Sequence, residues 1–564
     1  MNSENSATDK SPTATSLSER ERVDDGSFIS RHRHRGTTLA ALAVAALSIV
    51  LYSLSSDLSG AALSRLRHGL GSRHLGLAHK EAVASSSVVD SFPPLPPLED
   101  RSRLWPPDLD QPICTPKIYV YDLPLELRLP EKTVSQCRWS AYNSELLLHR
   151  LLTKEPPSPP SSLTGAAAPA DHPHTSLLTL DPAQADFFFV PLFPACYLFD
   201  CWVKAGWKKT ERCNVDEGYI QPVMRYIREA HPHWKASNGV DHLIVHPMDY
   251  VDGYYTEETR AAMNGSTYLV TVGDARPAPY GSYFRSYRDI VIPSSTHLIN
   301  SYHVNPRDFL DEHGDALPEP RGAADPKRKL ADAALPYPEI FEPSPTDVSL
   351  SVRVGRFLQR MFGGRQPTPE RSMLAIFRGG WGEATDGESY ALGIRSLFFP
   401  SDGDPSTPPF SATKHYGFAS LPDFDIALWS ENDDYAHRLA RTKFGLAPPG
   451  YTLDTTRLYE YLAFGVVPVF IGTGPTAGQV LPFERDIDWQ GMSISIPRSR
   501  AHEVPRILRS ISADEYERKR RKVWEEGRKV VLEGREGNVW KLIARQLCRL
   551  KRLGIAAGPE IANN

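Results

Sequence analysis

The chain has 564 residues, 41% of them hydrophobic, and a formal net charge of -4. That length accommodates two or three domains with sizeable cores. The near-balanced charge lacks the basic excess that nucleic-acid binding requires, so no nucleic acid is expected as a partner.

In chain order, residues 1–35 are rich in Ser, Thr and charge and read as a disordered cytoplasmic tail. No charged side chain occurs from Gly36 to Ser56, a stretch of about 21 residues that suffices for one spanning helix. Arg31, Arg33 and Arg35 precede it and predict a cytoplasmic N-terminus with a lumenal remainder, although Arg65, Arg67 and Arg73 lie on the other side. Residues 36–56 are therefore read as a transmembrane signal anchor. Two alternatives stay open: a signal peptide cleaved near Ser59, Gly60, Ala61 and Ala62, or an Ala-rich helix of a soluble protein. Residues 57–112 hold few large apolar side chains and end in FPPLPPLEDRSRLWPPD. Repeated prolines favour stiff extended segments, so this stretch reads as a stem.

A first α/β domain, Rossmann-like, is assigned to 113–345. It opens on a short strand in Lys117 to Asp122, followed by a helix around Tyr142 to Leu152 and a Pro/Ser/Ala-rich loop from Glu155 to His174. The uninterrupted apolar run within 181–193 reads as a strand buried on both faces. A helix near Tyr219 to Glu229 leads to a second such strand, Leu243 to Val245, and 311–345 reads as a linker. A second Rossmann-like domain, 346–535, repeats the alternation. It has a helix at Val352 to Met361, strands at Met373 to Phe377 and Ile426 to Leu428, and a helix at Tyr435 to Arg441. Ser512 and Glu515 form a capping box for helical sequence reaching about Glu533, and 536–564 is left as a tail. Strands alternating with helices predict mostly parallel sheets. Two such units in succession predict a substrate cleft between them.

All six cysteines follow the apolar run: Cys114, Cys137, Cys196, Cys201, Cys213 and Cys548. One or two disulfides are expected in the first domain if that side is oxidising, with connectivity open. A zinc site from Cys196, Cys201 and Cys213 is disfavoured because their spacing matches no common ligand pattern. Asn264-Gly265-Ser266 is an N-glycosylation sequon.

The segment Phe444 to Phe470 carries the chemistry. A Pro449-Gly450 turn runs through Thr452, Thr455 and Thr456 into a helix bearing Arg457 and Glu460, then Gly465 and an apolar strand. A helix start offers backbone N–H donors and a favourable dipole to a diphosphate. The threonines add hydroxyls, Arg457 adds a guanidinium fork, and Glu460, one turn on, is an acceptor suited to ribose hydroxyls. The alternative is a helix capped by Asp454 with Arg457 paired to Glu460 on a solvated face.

These residues, with Gly465 to Val469 and Leu481 to Glu484, resemble the signature of the exostosin family, glycosyltransferase family 47. The resemblance reaches back through Lys117 to Asp122, Ala185 to Pro191, Gly239 to His242 and Arg288 to Pro293, and covers about residues 115 to 500. It implies a GT-B fold and a type II Golgi membrane enzyme with a lumenal catalytic domain. That enzyme would transfer a sugar from a nucleotide sugar, usually a UDP-sugar, to a polysaccharide or glycoprotein glycan acceptor with inversion. It further implies that Thr452, Thr455 and Arg457 hold the pyrophosphate and Glu460 the ribose. No cofactor is required and no metal is expected, Asp433-Asp434 being read as a solvated acidic helix start.

The chain departs from the family pattern in places. Gly445, Ala447 and Val466 stand where cysteines are frequent, Tyr451 where Asp is frequent, and Met248 where a His precedes Asp249. Three groups are candidates for the base that takes the acceptor's proton: Asp249, His246 and Glu383. Arg378, in a glycine-rich loop, is a further candidate for the donor phosphates. A catalytically silent subunit scaffolding a glycan-synthase complex is the alternative function, and a hetero-complex with other glycosyltransferases is a further expectation.

Overall fold

The computed structural model describes residues 114–137, 142–153, 177–206, 213–249, 253–275, 284–302, 304–317, 371–380, 390–398, 417–428, 434–474, 478–532 and 539–554. The predicted tail, anchor and stem, the helix at 352–361 and Glu383 lie outside them. Among the described residues no helix is long and apolar enough to cross a membrane.

The first half builds one sheet from β1 (Ile118–Val120), β2 (Leu178–Thr179), β3 (Phe187–Phe189), β4 (His242–His246), β5 (Thr267–Val270) and β7 (Ile290–Val291). Their order is β2-β1-β3-β4-β5-β7 and every pairing is parallel. The helices α1 (Ser144–Thr153), α2 (Pro194–Lys204), α3 (Gln221–Ala230) and α4 (Glu257–Met263) lie between the strands, and α5 (His297–Tyr302) follows β7. The FFFV run shows why its strand reads as continuously apolar. Phe187 and Phe189 face one buried cluster, while Phe188 and Val190 face another on the opposite side of the sheet.

The second half builds a five-stranded parallel sheet from β8 (Met373–Arg378), β9 (Phe424–Ala427), β10 (Thr442–Ala447), β11 (Val467–Ile471) and β13 (Ile494–Ile496), ordered β13-β11-β10-β8-β9. Its helices include α6 (Tyr435–Ala440), α7 (Arg457–Ala463) and α8 (Ala513–Glu525). The Ser512 side chain accepts the Glu515 N–H as the capping box predicts. α8 stops earlier than the sequence suggests, at Glu525, and a 3-10 turn over Gly527–Val530 follows.

The two halves share one apolar core, in which Leu243 and Leu269 belong to the same cluster as Phe377 and Leu446. A short antiparallel pair, β6 (Gly273–Asp274) with β12 (Gln479–Val480), stitches one half to the other. Residues left as a tail by the sequence instead form α9 (Val539–Arg552). Its Trp540, fully buried, donates its indole N–H to the Leu148 carbonyl on α1 at 3.0 Å.

Two disulfides, Cys137–Cys196 and Cys201–Cys213, lie within the first domain as expected, and Cys114–Cys548 is a third. Cys114–Cys548 joins positions 434 residues apart and ties α9 to the segment before β1. Cys196, Cys201 and Cys213 are thereby all committed to disulfides. At the base of the second sheet, buried Arg371 donates to the carbonyls of Thr442 at 2.8 Å, Phe464 at 2.8 Å and Gly314 at 2.9 Å. One guanidinium thus fastens residues from both halves.

Candidate active site

In the second sheet the chain leaves β8 for β9 on one side and returns to build β10, β11 and β13 on the other. The crevice beyond the C-terminal ends of β8 and β10 is therefore the topological switch point, the place where ligands of parallel α/β sheets gather. Gly379 and Gly380 follow β8 there, and Pro449 and Gly450 follow β10.

Arg457, the first residue of α7, enters this crevice. A β-carbon on Gly379 would lie 2.2 Å from its Nη2, so glycine is what admits the guanidinium. Its Nε donates to the Arg378 carbonyl, and its Nη1 stands 3.5 Å from Thr455 Oγ1. The guanidinium lies 5.0 Å from the Phe377 ring centre. Arg395 approaches the same ring to 5.4 Å and donates to the Pro449 carbonyl at 2.9 Å and the Gly380 carbonyl at 3.0 Å. Two guanidiniums therefore flank one aromatic ring at the switch point. Planar cationic forks match phosphate oxygens, and a pair of them balances a diphosphate. Sequence reasoning found Arg457 but missed Arg395, whose one signal was a lone cation within the apolar run ALGIRSLFF.

The start of α7 differs from expectation. The Leu458 N–H donates to the Thr455 carbonyl at 3.1 Å and the Tyr459 N–H to the Thr456 carbonyl at 3.2 Å. These backbone donors serve the turn itself, and the side chains face the crevice in their place. Arg378 also differs, because its guanidinium is buried against Asp425, with Nη2 to Oδ1 at 2.6 Å. The crevice receives the Arg378 backbone carbonyl instead. Glu460 is 3% exposed and turned into the core, where its Oε1 accepts the Leu298 N–H at 3.0 Å at the start of α5. Burial raises its pKa, opposed by the Leu298 N–H and the Arg457 charge.

The first sheet contributes Asp249, three residues beyond β4. Thr452 Oγ1 donates to Asp249 Oδ1 at 3.0 Å and the Tyr142 hydroxyl donates to Oδ2 at 3.1 Å. Burial raises the Asp249 pKa while the two hydroxyls hold it down. A second carboxylate sits close by. Asp454 accepts the Ser294 hydroxyl at 2.5 Å, and burial, reinforced by the Asp249 charge, pushes its pKa up to about 7. The sequence offered Asp454 as a helix cap alone, because Ser294 and Asp249 are far from it along the chain.

The Exostosin GT47 domain family matches residues 115–511. The chain belongs to the exostosin GT47 family. A probable glucuronosyltransferase of Oryza sativa subsp. japonica is 21% identical over 418 residues, 73% of this chain and 74% of that protein. A probable beta-1,4-xylosyltransferase of Arabidopsis thaliana is 22% identical over 417 residues, 73% of this chain and 76% of that protein. A glycosyltransferase structure from Rickettsia africae ESF-5 aligns with a TM-score of 0.30 and 8% identity, covering 80% of this chain and 100% of that one.

As a member of the exostosin GT47 family the chain is a glycosyltransferase. Of its three candidate bases, Asp249 lies in the seam beside Thr452, Glu383 lies outside the described residues, and His246 is sealed in the core. The His246 Nδ1 is paired with the Tyr255 hydroxyl at 3.1 Å, and burial drives its pKa down to about 3, so it is neutral. Met248, standing in the place of the family's histidine, is buried as well. Asp433 is outside the described residues, while Asp434 pairs with His437 at 3.7 Å. At the sequon, Asn264 is exposed with its side-chain oxygen accepting from Arg285 at 3.2 Å, and Ser266 is fully buried.

Proposed function

We propose that this glycosyltransferase has a GT-B arrangement and moves a sugar from a UDP-sugar, with inversion, to a polysaccharide or glycoprotein glycan. The observation that carries this reading is the pair Arg395 and Arg457 at the β8/β10 switch point. On this reading the acceptor hydroxyl oxygen bonds to the anomeric carbon as the bond from that carbon to the diphosphate breaks. The electron pair leaves with UDP, whose growing charge Arg395 and Arg457 stabilise together with Thr455. The hydroxyl proton passes to Asp249, the candidate base that combines a position past a strand end with access to the seam. Gly450 and Thr452 form the turn against which the donor rests. Charge neutralisation by two guanidiniums makes a metal or other cofactor unnecessary. Glu460 supports the donor site by holding the start of α5.

The protein is further proposed to sit in the Golgi membrane through 36–56, as a type II protein with the catalytic residues lumenal. Three disulfides support an oxidising compartment. The test is thermal stabilisation by UDP, followed by UDP release from a panel of UDP-sugars beginning with UDP-glucuronate and UDP-xylose, the sugars suggested by the relatives' names. No stabilisation at millimolar UDP would refute the donor reading. UDP binding without release from any donor and acceptor pair would favour the silent scaffold.

A further inference from the structure

Gln479, on the two-residue strand β12, is buried and commits both ends of its amide to main chain. Its Nε2 donates to the Leu453 carbonyl at 3.0 Å, and its Oε1 accepts the Gly474 N–H at 2.8 Å. A carbonyl on one side and an N–H on the other fix which end of the amide is which. Leu453 stands between Thr452, whose hydroxyl reaches Asp249, and Asp454, which accepts from Ser294. Gly474 belongs to the turn after β11, where Thr473 Oγ1 donates to the carbonyl of Ala447, the last residue of β10, at 3.2 Å. The strand that carries Gln479 is itself bonded to the first half of the molecule. It pairs with β6, Gln479 opposite Asp274, and the Ala275 N–H donates to the Gly478 carbonyl at 3.1 Å. A β-carbon on Gly273 would run into the Val480 carbonyl oxygen, so glycine lets the two strands close.

The pairing of β6 with β12 needs only backbone, and an apolar side chain of the same volume would fill the space of Gln479. A buried amide adds directional contacts that hold its partners in one arrangement. We propose that Gln479 is a positioning residue for the transfer reaction, clamping the turn at Leu453 to the β6–β12 pair so that Thr452 stays in register with Asp249. This rests on the reading of Asp249 as the base. Arg395 and Arg457 bond instead to the carbonyls of Arg378, Gly380 and Pro449, so loss of the clamp is expressed in turnover rather than in UDP affinity.

Two variants of the full-length protein in detergent test this. Gln479→Met keeps the length of the side chain and neither polar contact. Gln479→Glu keeps an acceptor for Gly474, but its carboxyl can donate to Leu453 only when protonated. Burial, with Asp274 opposite in register, favours the protonated form, so this contact returns as pH falls. The readouts are hydrogen exchange, the UDP thermal shift, and UDP release from UDP-glucuronate and UDP-xylose with xylohexaose and cellohexaose as acceptors. In Gln479→Met the amides of residues 452–456 should exchange roughly tenfold faster and UDP release should fall roughly tenfold, with the UDP shift retained. Gln479→Glu should show the same loss at about pH 8 and recover, relative to wild type, by about pH 5.5, Asp249, Asp274 and Asp454 being common to both proteins. A merely structural role would lower the unfolding temperature and leave release by the folded protein unchanged. Exchange and release in Gln479→Met within about twofold of wild type, or a UDP shift lost in step with release, would overturn the proposal. So would a release deficit in Gln479→Glu that does not change with pH, which decides the matter if Gln479→Met does not fold. Should wild type release no UDP, exchange at 452–456 alone decides the clamp, and absence of the UDP shift as well would refute the donor reading.

Discussion

Thr452 and Asp249, 203 positions apart, meet at 3.0 Å where the two halves of the molecule touch. The contact sets a carboxylate from the first sheet against the turn that precedes α7. Asp249→Asn keeps the shape of this bridge, since the hydroxyls of Thr452 and Tyr142 can each donate or accept. It removes the ability to take a proton. Turnover is expected to fall by about 10²–10⁴ with the UDP thermal shift intact, measured as UDP release in the presence of acceptor. Full turnover in this variant would exclude Asp249 as the base.

The arginines at the switch point divide into two kinds. Arg395 and Arg457 bond to backbone carbonyls that border the crevice, whereas Arg378 is ion-paired with Asp425. Arg395→Lys and Arg457→Lys keep a charge but lose the planar fork, so each should reduce UDP affinity roughly tenfold or more in calorimetric titration. Arg378→Ala removes the buried partner of Asp425, which keeps Arg438 at 3.0 Å, and should cost about 1.5–3 kcal/mol of stability, seen in thermal unfolding. The assignment would be reversed if Arg378 variants lost UDP and Arg457 variants did not.

What the sequence revealed and what it hid follow from range. β1, β3, β4, β8 and β11 are legible because each is an apolar run bounded by Pro, Gly or charge, a local signal. Arg457 was legible because the turn, hydroxyls and helix stand in one segment. Arg395 was not, because it reaches the crevice from a short 3-10 turn with no periodicity of its own. The sequence places β9 about two residues late, because Asp425 interrupts its Phe424–Ala427 run and Leu428 prolongs the apolar pattern beyond it. α9 was passed over as tail because its amphipathic face finds its partner on α1, some 390 residues earlier. Cys114–Cys548 is hidden for the same reason, since pairing partners this distant leave no mark on spacing.

Glu460 illustrates a residue found by motif whose surroundings were not foreseeable. Its carboxylate accepts from Leu298 at the start of α5, 162 positions away. Glu460→Ala leaves that buried N–H without its acceptor, a loss of about 1–3 kcal/mol expected in denaturant unfolding. Glu460→Gln retains a carbonyl oxygen for the contact and should keep most of the stability and the UDP thermal shift. The opposite pattern, native stability with UDP binding abolished in Glu460→Gln, would mean that the carboxylate contacts the ribose directly.

Asp454 makes stability depend on pH in a direction fixed by its environment. Its folded pKa is raised to about 7 from an ordinary 3.8, chiefly by burial, with the Ser294 and Tyr459 hydroxyls and the Thr455 N–H opposing and the Asp249 charge adding. A raised carboxyl pKa means that the fold holds the proton more tightly than the unfolded chain does. The resulting stabilisation is fully present below about pH 4 and is lost as pH rises to about 7, on the order of 4 kcal/mol at most. Asn mimics the protonated side chain at every pH. Asp454→Asn should therefore exceed wild type in stability at about pH 8 and approach it near pH 4. His246, whose depressed pKa makes acid destabilising, is common to both proteins and cancels in the difference. Thermal unfolding of the pair across this range checks it, and a gap that widens on acidification would mean that Asp454 is held as the carboxylate.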